Sequence, residues 1–201
     1  MYTDSDGTFD IAVGATLHSY GYGNRKHGNA PVQNTWDKIH YDKTSVTIPA
    51  GLILDFGGFG KGWLIDLLVD CLRSHGVDQF IINGGGDLYV QSDEPIEFAL
   101  EHPQNPALKI GQTRITRGAL AASSTYKRSW QHDGTSYHHI IDPATNQPSK
   151  TDIAASFVRA DTALIADTMA TILLMRPNLN DKLTKKYGLK TILVTKSQLQ
   201  A

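Results

Sequence analysis

Gln79-Phe80-Ile81-Ile82-Asn83-Gly84-Gly85-Gly86-Asp87-Leu88-Tyr89-Val90-Gln91 decides how this chain folds. Two apolar runs, 79–82 and 88–91, flank an Asn and three consecutive glycines. That is the pattern of two strands joined by a hairpin-like turn. Strands joined this tightly run antiparallel. The triple glycine exceeds what such a turn needs.

Working outward, residues 61–74 carry Leu64, Leu67, Leu68, Cys71 and Leu72 at helical spacing, and Gly76 supplies the stop. Short strands are expected at 46–48 and 52–54 around Pro49-Ala50-Gly51. Residues 1–35 are Gly- and His-rich and read as a loop with a short helix over 9–17. Downstream, strands are expected at 97–101, 119–122, 137–141 and 154–159. A helix over 161–175 is ended by Pro177, and another over 180–187 is capped by Gly188. A last strand covers 191–195. The order is mixed rather than strictly alternating, which predicts an α+β fold with mainly antiparallel sheets and packed helices. At 201 residues the chain suits a single domain over 1–201, with room for two lobes.

Nineteen basic against 20 acidic residues leave a net charge of −1, so no electrostatic case exists for nucleic acid or a membrane surface. The single cysteine, Cys71, reads as a small buried hydrophobe within its helix, and one thiol excludes an intrachain disulfide framework. No apolar run approaches the ~20 residues of a membrane-spanning helix. The polar, acidic residues 1–6 do not read as a leader.

Four constellations could carry chemistry. Asp55-Phe56-Gly57-Gly58-Phe59-Gly60-Lys61-Gly62-Trp63 opens a helix, where glycines admit a ligand and unpaired N–H groups favour an anion. It is neither a Walker A loop nor a dinucleotide fingerprint, and on glycine content alone a tight strand-to-helix turn is the simpler reading. In Ala166-Asp167-Thr168-Met169-Ala170-Thr171, the Asp167 carboxylate and Thr171 hydroxyl stand one helical turn apart among small apolar neighbours. These are hard donors suited to Mg²⁺. The competing reading bonds Thr171 back to its own helix and leaves Asp167 in water. Ala121-Ala122-Ser123-Ser124-Thr125-Tyr126-Lys127-Arg128 offers hydroxyls and a basic pair, for a phosphate or a solvated helix start. Tyr137-His138-His139-Ile140-Ile141-Asp142-Pro143 reads as a strand ended by a turn, with an imidazole placed for proton transfer. Alternation puts His138 and His139 on opposite faces, and Asp142 reads as a turn former.

Taken in order, these segments resemble the ApbE family of flavin transferases (FAD:protein FMN transferases) over residues 7–195. Gly7-Thr8-Phe9-Asp10-Ile11-Ala12-Val13-Gly14 is similar to that family's G-x-F-D-x-T-V-G segment, and Tyr20-Gly21-Tyr22-Gly23 to its W-G-F-G. Asp55 to Gly62 resembles D-L-G-G-I-A-K-G, and Gly84-Gly85-Gly86-Asp87 its N-x-G-G-D turn. His139-Ile140-Ile141-Asp142-Pro143-Ala144-Thr145 resembles H-I-I-D-P-x-T, and Asp167 with Thr171 the A-D-A-x-A-T helix. The chain departs from the pattern at Ala12, Ala15-Thr16, Ala122-Ser123-Ser124 and Asn146.

The resemblance implies an ApbE-like (T-fold-like) architecture from which an N-terminal part of the family fold is missing, since the family has several dozen residues upstream of Phe9-Asp10. It implies a Mg²⁺-dependent enzyme that moves FMN from FAD to a Thr or Ser of an acceptor flavoprotein through a phosphoester, releasing AMP. By that resemblance Asp167, Thr171 and the backbone carbonyl of Gly58 hold Mg²⁺ against the FAD pyrophosphate. Tyr20, Gly21, Tyr22, Asp55, Lys61 and Ile141 contact FAD, and His139 is the catalytic base. Two other readings stay open: hydrolysis of FAD to FMN and AMP, and FAD binding without catalysis. A homodimer is also open, as is the compartment. The family is often exported or membrane-anchored, but the absence of a leader or lipobox here leaves the cytoplasm open.

Overall fold

A computed structural model describes residues 1–24, 36–132 and 134–199. The expected loop over 1–35 therefore lies partly outside the described residues. Strands run β1 His40–Tyr41, β2 Val46–Thr47, β3 Phe80–Asn83, β4 Leu88–Glu101, β5 Lys109–Ser124, β6 Ser129–His132, β7 Thr135–His138, β8 Ile141–Asp142, β9 Gln147–Pro148, β10 Ile153–Ala160 and β11 Lys190–Thr195. The α-helices are α1 Gly14–Ser19, α2 Gly60–Ser74, α3 Ala163–Met175 and α4 Asn180–Tyr187. The described strand pairs are antiparallel. The chain divides into two compact units, Met1–Phe56 with Arg128–Lys150, and Gly57–Lys127 with Thr151–Ala201. Among the described residues no helix is long and apolar enough to cross a membrane.

The second unit is built on one five-stranded sheet in the order β11-β10-β5-β4-β3. Residues directly opposite in paired strands share a face. Ser156, Val158 and Ala160 of β10 oppose Ser123, Ala121 and Ala119 of β5, and Ala119 opposes Tyr89 of β4. This row is the face that α3 covers, since Ser123 bonds to Thr171 on that helix. The small side chains of this row on β5 and β10 let the helix lie close. The other face carries Leu88, Val90, Leu120, Ala155 and Phe157, packed with Leu100, Ile115 and Val194.

Helix α3 is buried almost all round, as an apolar central helix should be. Its outer side receives α2 at one close point. A Cβ on Gly62 would stand 2.3 Å from the Ala163 carbonyl oxygen, so only glycine admits this approach. That contact turns α2 so that Gly62, Ile65 and Val69 face inward. The expected apolar stripe is therefore the outer one: Leu64, Leu67 and Leu68 stand exposed beside Trp63, and Cys71 is exposed rather than buried.

The expected strands 88–91 and 97–101 are one strand, β4, broken in register between Gln91 and Ile96. Such an irregularity absorbs Pro95, which has no N–H for a ladder. Strand 119–122 is the end of the long β5. At Gly118 the backbone has φ +118° and a Cβ would meet the Ala160 carbonyl oxygen at 2.9 Å, so a glycine stands immediately before Ala119, where the β5–β10 pairing begins.

In the first unit, strands pair two by two: β1 with β2, β6 with β7 and β8 with β9. Residues 52–54 form no strand. The run is held instead by the Gly14 N–H on Ile53 O at 3.1 Å and the Asp55 N–H on Ile11 O at 2.7 Å. The expected strand 137–141 ends at His138, and Ile141 and Asp142 pair separately with Pro148 and Gln147. Asp142 is the turn former the sequence suggests: its Oδ1 accepts the Ala144 N–H at 3.0 Å and its carbonyl the Asn146 N–H at 2.8 Å.

Candidate functional site

In the second unit a buried ionic cluster gathers where α2, α3, β4 and β5 meet. Lys61, in the first turn of α2, reaches two carboxylates. Its Nζ is in close contact with Asp87 and lies 3.2 Å from both carboxylate oxygens of Asp167. Both carboxylate side chains are only 4% exposed, against 32% for Lys61. Each acid is also held by backbone: the Gly62 N–H donates to Asp167 at 3.1 Å, and the Ala122 N–H to Asp87 at 3.3 Å. One ammonium thus faces two buried carboxylates, leaving the cluster one positive charge short. Burial pushes the Asp167 carboxyl above the ordinary carboxylate range and the Asp87 charge adds to the push. Lys61 and the Gly62 N–H pull it back down.

One turn along α3, the Thr171 hydroxyl bonds to the Ser123 hydroxyl of β5 at 3.1 Å, not back to its own helix. Asp167 is likewise buried rather than solvated. The helix that presents these groups is itself fixed from α2. Asp66 accepts the Ala163 and Leu164 N–H groups at 2.8 and 2.9 Å, and Thr162 caps the Ile165 N–H at 3.3 Å.

Asp167 and Thr171 offer the hard oxygen donors that Mg²⁺ takes, and the ammonium on both Asp167 oxygens is itself a cation seated at that position. The residues fit a divalent ion. Among the described residues no three His, Cys, Asp or Glu stand together as a metal site. An ion here would rely on few side chains plus backbone, water and ligand oxygen, which is how Mg²⁺ is commonly held. Gly58 lies two residues before α2.

The other expected residues belong to the first unit. Tyr20 stacks on Tyr137 with ring centroids 4.8 Å apart, and its hydroxyl donates to the Asn146 carbonyl at 3.0 Å. Its own carbonyl accepts the Trp130 indole N–H at 2.6 Å, and Tyr22 tilts against Trp130 at 5.1 Å. Gly21 takes a positive φ of 82° between the two tyrosines. Asn146 adopts the left-handed backbone at φ 54° that it tolerates well. Ile141 is buried. His139 Nδ1 lies 3.3 Å from the Arg128 carbonyl. That carbonyl is an acceptor, which suits the tautomer protonated at Nδ1.

Helical spacing alone pairs Asp167 with Thr171, whereas Lys61 joins them in the sequence only through the resemblance, and sequence reasoning missed Asp87 and Ser123 as their partners. It also missed Asp66, Trp130 and Tyr137. The signal for Asp87 was present: a carboxylate directly after three glycines and directly before an apolar strand.

The sequence pattern of the ApbE family matches residues 1–192. This chain belongs to the ApbE family. The FAD:protein FMN transferase of Vibrio cholerae is 26% identical over 191 residues, spanning 85% of this chain and 56% of its own length. That of Treponema pallidum is 30% identical over 138 residues, or 61% of this chain and 37% of its own. The chain thus spans little more than half the length of the first of these relatives. Among solved structures, the ApbE protein of Thermotoga maritima superposes with a TM-score of 0.80 at 24% identity, covering 98% of this chain and 70% of that one. The flavin transferase ApbE of Vibrio cholerae superposes with a TM-score of 0.77 at 22% identity, covering 97% and 67%. The ApbE architecture expected from the sequence is the one observed.

Proposed function

We propose that this chain carries FAD:protein FMN transfer, in which the hydroxyl of an acceptor Thr or Ser attacks the FMN phosphorus of FAD. A P–O bond to the acceptor forms, the pyrophosphate P–O bond breaks, and AMP leaves with those electrons. The observation that carries this reading is the buried Lys61–Asp87–Asp167 cluster beside Thr171, short by one positive charge. Asp167, Thr171 and the Gly58 carbonyl would hold Mg²⁺, which when bound neutralises charge developing on the leaving phosphate. Lys61 contributes a second positive charge for the pyrophosphate. Tyr20, Gly21, Tyr22, Asp55 and Ile141 serve as the FAD contacts. His139, with its Nδ1 proton on Arg128 O, takes the acceptor hydroxyl proton at Nε2 and so makes a poor nucleophile a good one.

The test is incubation with FAD, Mg²⁺ and an acceptor carrying a suitable Thr. The expected product is a fluorescent protein band that survives denaturation, lost in His139→Ala. AMP released without acceptor labelling would assign hydrolysis instead. FAD bound tightly with no AMP at saturating Mg²⁺ would assign a binding protein.

A further inference from the structure

We infer that Lys61 is a tethered stand-in for the divalent ion: its ammonium neutralises Asp167 while no ion is bound, and withdraws onto Asp87 when one arrives. This rests on the cation reading above and deepens it.

Three features of the cluster carry the inference. The first is that Lys61 spans both carboxylate oxygens of Asp167 at 3.2 Å, the atoms an incoming cation must take. An ion and an ammonium cannot both hold them, so one gives way. The second is that the acids are fixed and the lysine is not. Asp167 is tied to the Gly62 N–H and Asp87 to the Ala122 N–H, and both are buried. Lys61 sits on a flexible four-carbon stem and is a third exposed. The third is that Asp87 already holds the ammonium, so leaving Asp167 does not strand a charge. Two bare carboxylates at this depth would be costly. With Lys61 between them, the ion-free cluster carries −1 rather than −2, and a divalent ion brings it to +1. The ion-bound cluster then suits an anionic phosphate ligand, whereas the ion-free one repels it. Thr171, held by Ser123 outside this exchange, keeps its hydroxyl placed in both states.

The exchange can be read on the wild-type chain without FAD. Lys61 acetylation by a limiting amine reagent, followed by mass spectrometry with exposed Lys150 as internal reference, should rise severalfold at saturating MgCl₂. In parallel, Mn²⁺ affinity from the electron spin resonance of free Mn²⁺ should tighten about tenfold in Lys61→Met and Lys61→Gln. That gain should persist in about 0.5 M KCl, where screening confines charge effects to within several ångströms. Unchanged Lys61 reactivity with Mn²⁺ demonstrably bound overturns the inference and leaves the cation reading intact. So does equal or weaker Mn²⁺ binding by either folded variant. A wild-type chain that binds neither ion removes the cation reading itself, and this inference with it.

Discussion

Replacing Gly62 by Ala adds one methyl at a close backbone approach between α2 and α3. The added Cβ would lie 2.3 Å from Ala163 O, 2.7 Å from Ala163 C and 2.8 Å from the Leu164 Cα. Ordinary contacts begin at 3.4 Å, so α2 must retreat from α3 by about 1 Å. Overpacking of this kind costs about 1–3 kcal/mol. The retreat also stretches the Gly62 N–H bond to the buried Asp167 carboxylate, now 3.1 Å, at about 1.5–3 kcal/mol. Alanine's better helix propensity returns about 1 kcal/mol. The net expectation is a loss of about 1.5–5 kcal/mol, or a Tm lower by roughly 3–20 °C for a chain of this size. Urea and thermal melts of Gly62→Ala measure it. Gly111→Ala is the control, since a Cβ there meets only the Leu100 Cδ1, at 3.6 Å. A Gly62→Ala midpoint at or above wild type, or an equal loss in Gly111→Ala, would refute the close-approach argument.

Three further outcomes follow from the same cluster. Asp66→Ala leaves the Ala163 and Leu164 N–H groups without their acceptor and should cost about 1–2 kcal/mol in urea melts; an unchanged midpoint would show that water caps α3 equally well. Ser123→Ala removes the 3.1 Å partner of Thr171 and should cost about 1 kcal/mol while weakening Mn²⁺ binding severalfold; unaltered Mn²⁺ affinity would mean the hydroxyl needs no positioning. Asp167 has a raised native pKa, so the native state holds its proton more tightly than the unfolded chain does. The resulting stability is fully present below the unfolded value of about 3.9 and is lost as pH rises through the raised native value. With EDTA present, Asp167→Asn should therefore gain on wild type as pH climbs through that window. A flat or reversed difference between their melts would contradict the assignment.

Much of the architecture was legible because the signals were local. The helix over 161–175 was announced by apolar residues and closed by Pro177, and the structure ends α3 at Met175. The Asp167–Thr171 spacing is a property of one helix and needs no partner to be read. What failed depended on other elements. Helix α2 has apolar residues on two sides, and periodicity alone selected Leu64, Leu67, Leu68 and Cys71. The observed face was chosen by Gly62, whose missing side chain admits α3 and rotates Ile65 and Val69 inward. The two expected pieces of β4 are parted by Asp93, Glu94 and Pro95, which in the structure lie within a register shift of one strand. Asp87 and Ser123 reach the site through strand pairings between β4, β5 and β10, which no window along the chain contains.

The capping of α3 by Asp66 also has a consequence for how the chain acquires its fold. A helix start normally draws its acceptors from residues just before it, so it can form alone. Here two of the first N–H groups of α3 are satisfied from another helix, 97 and 98 residues away in sequence. Neither helix is complete by itself, and the docking event that finishes α3 also brings Gly62 and Lys61 onto Asp167. Opening of one helix should thus open the other. Amide hydrogens of α2 and α3 are expected to exchange with solvent together, as one cooperative segment.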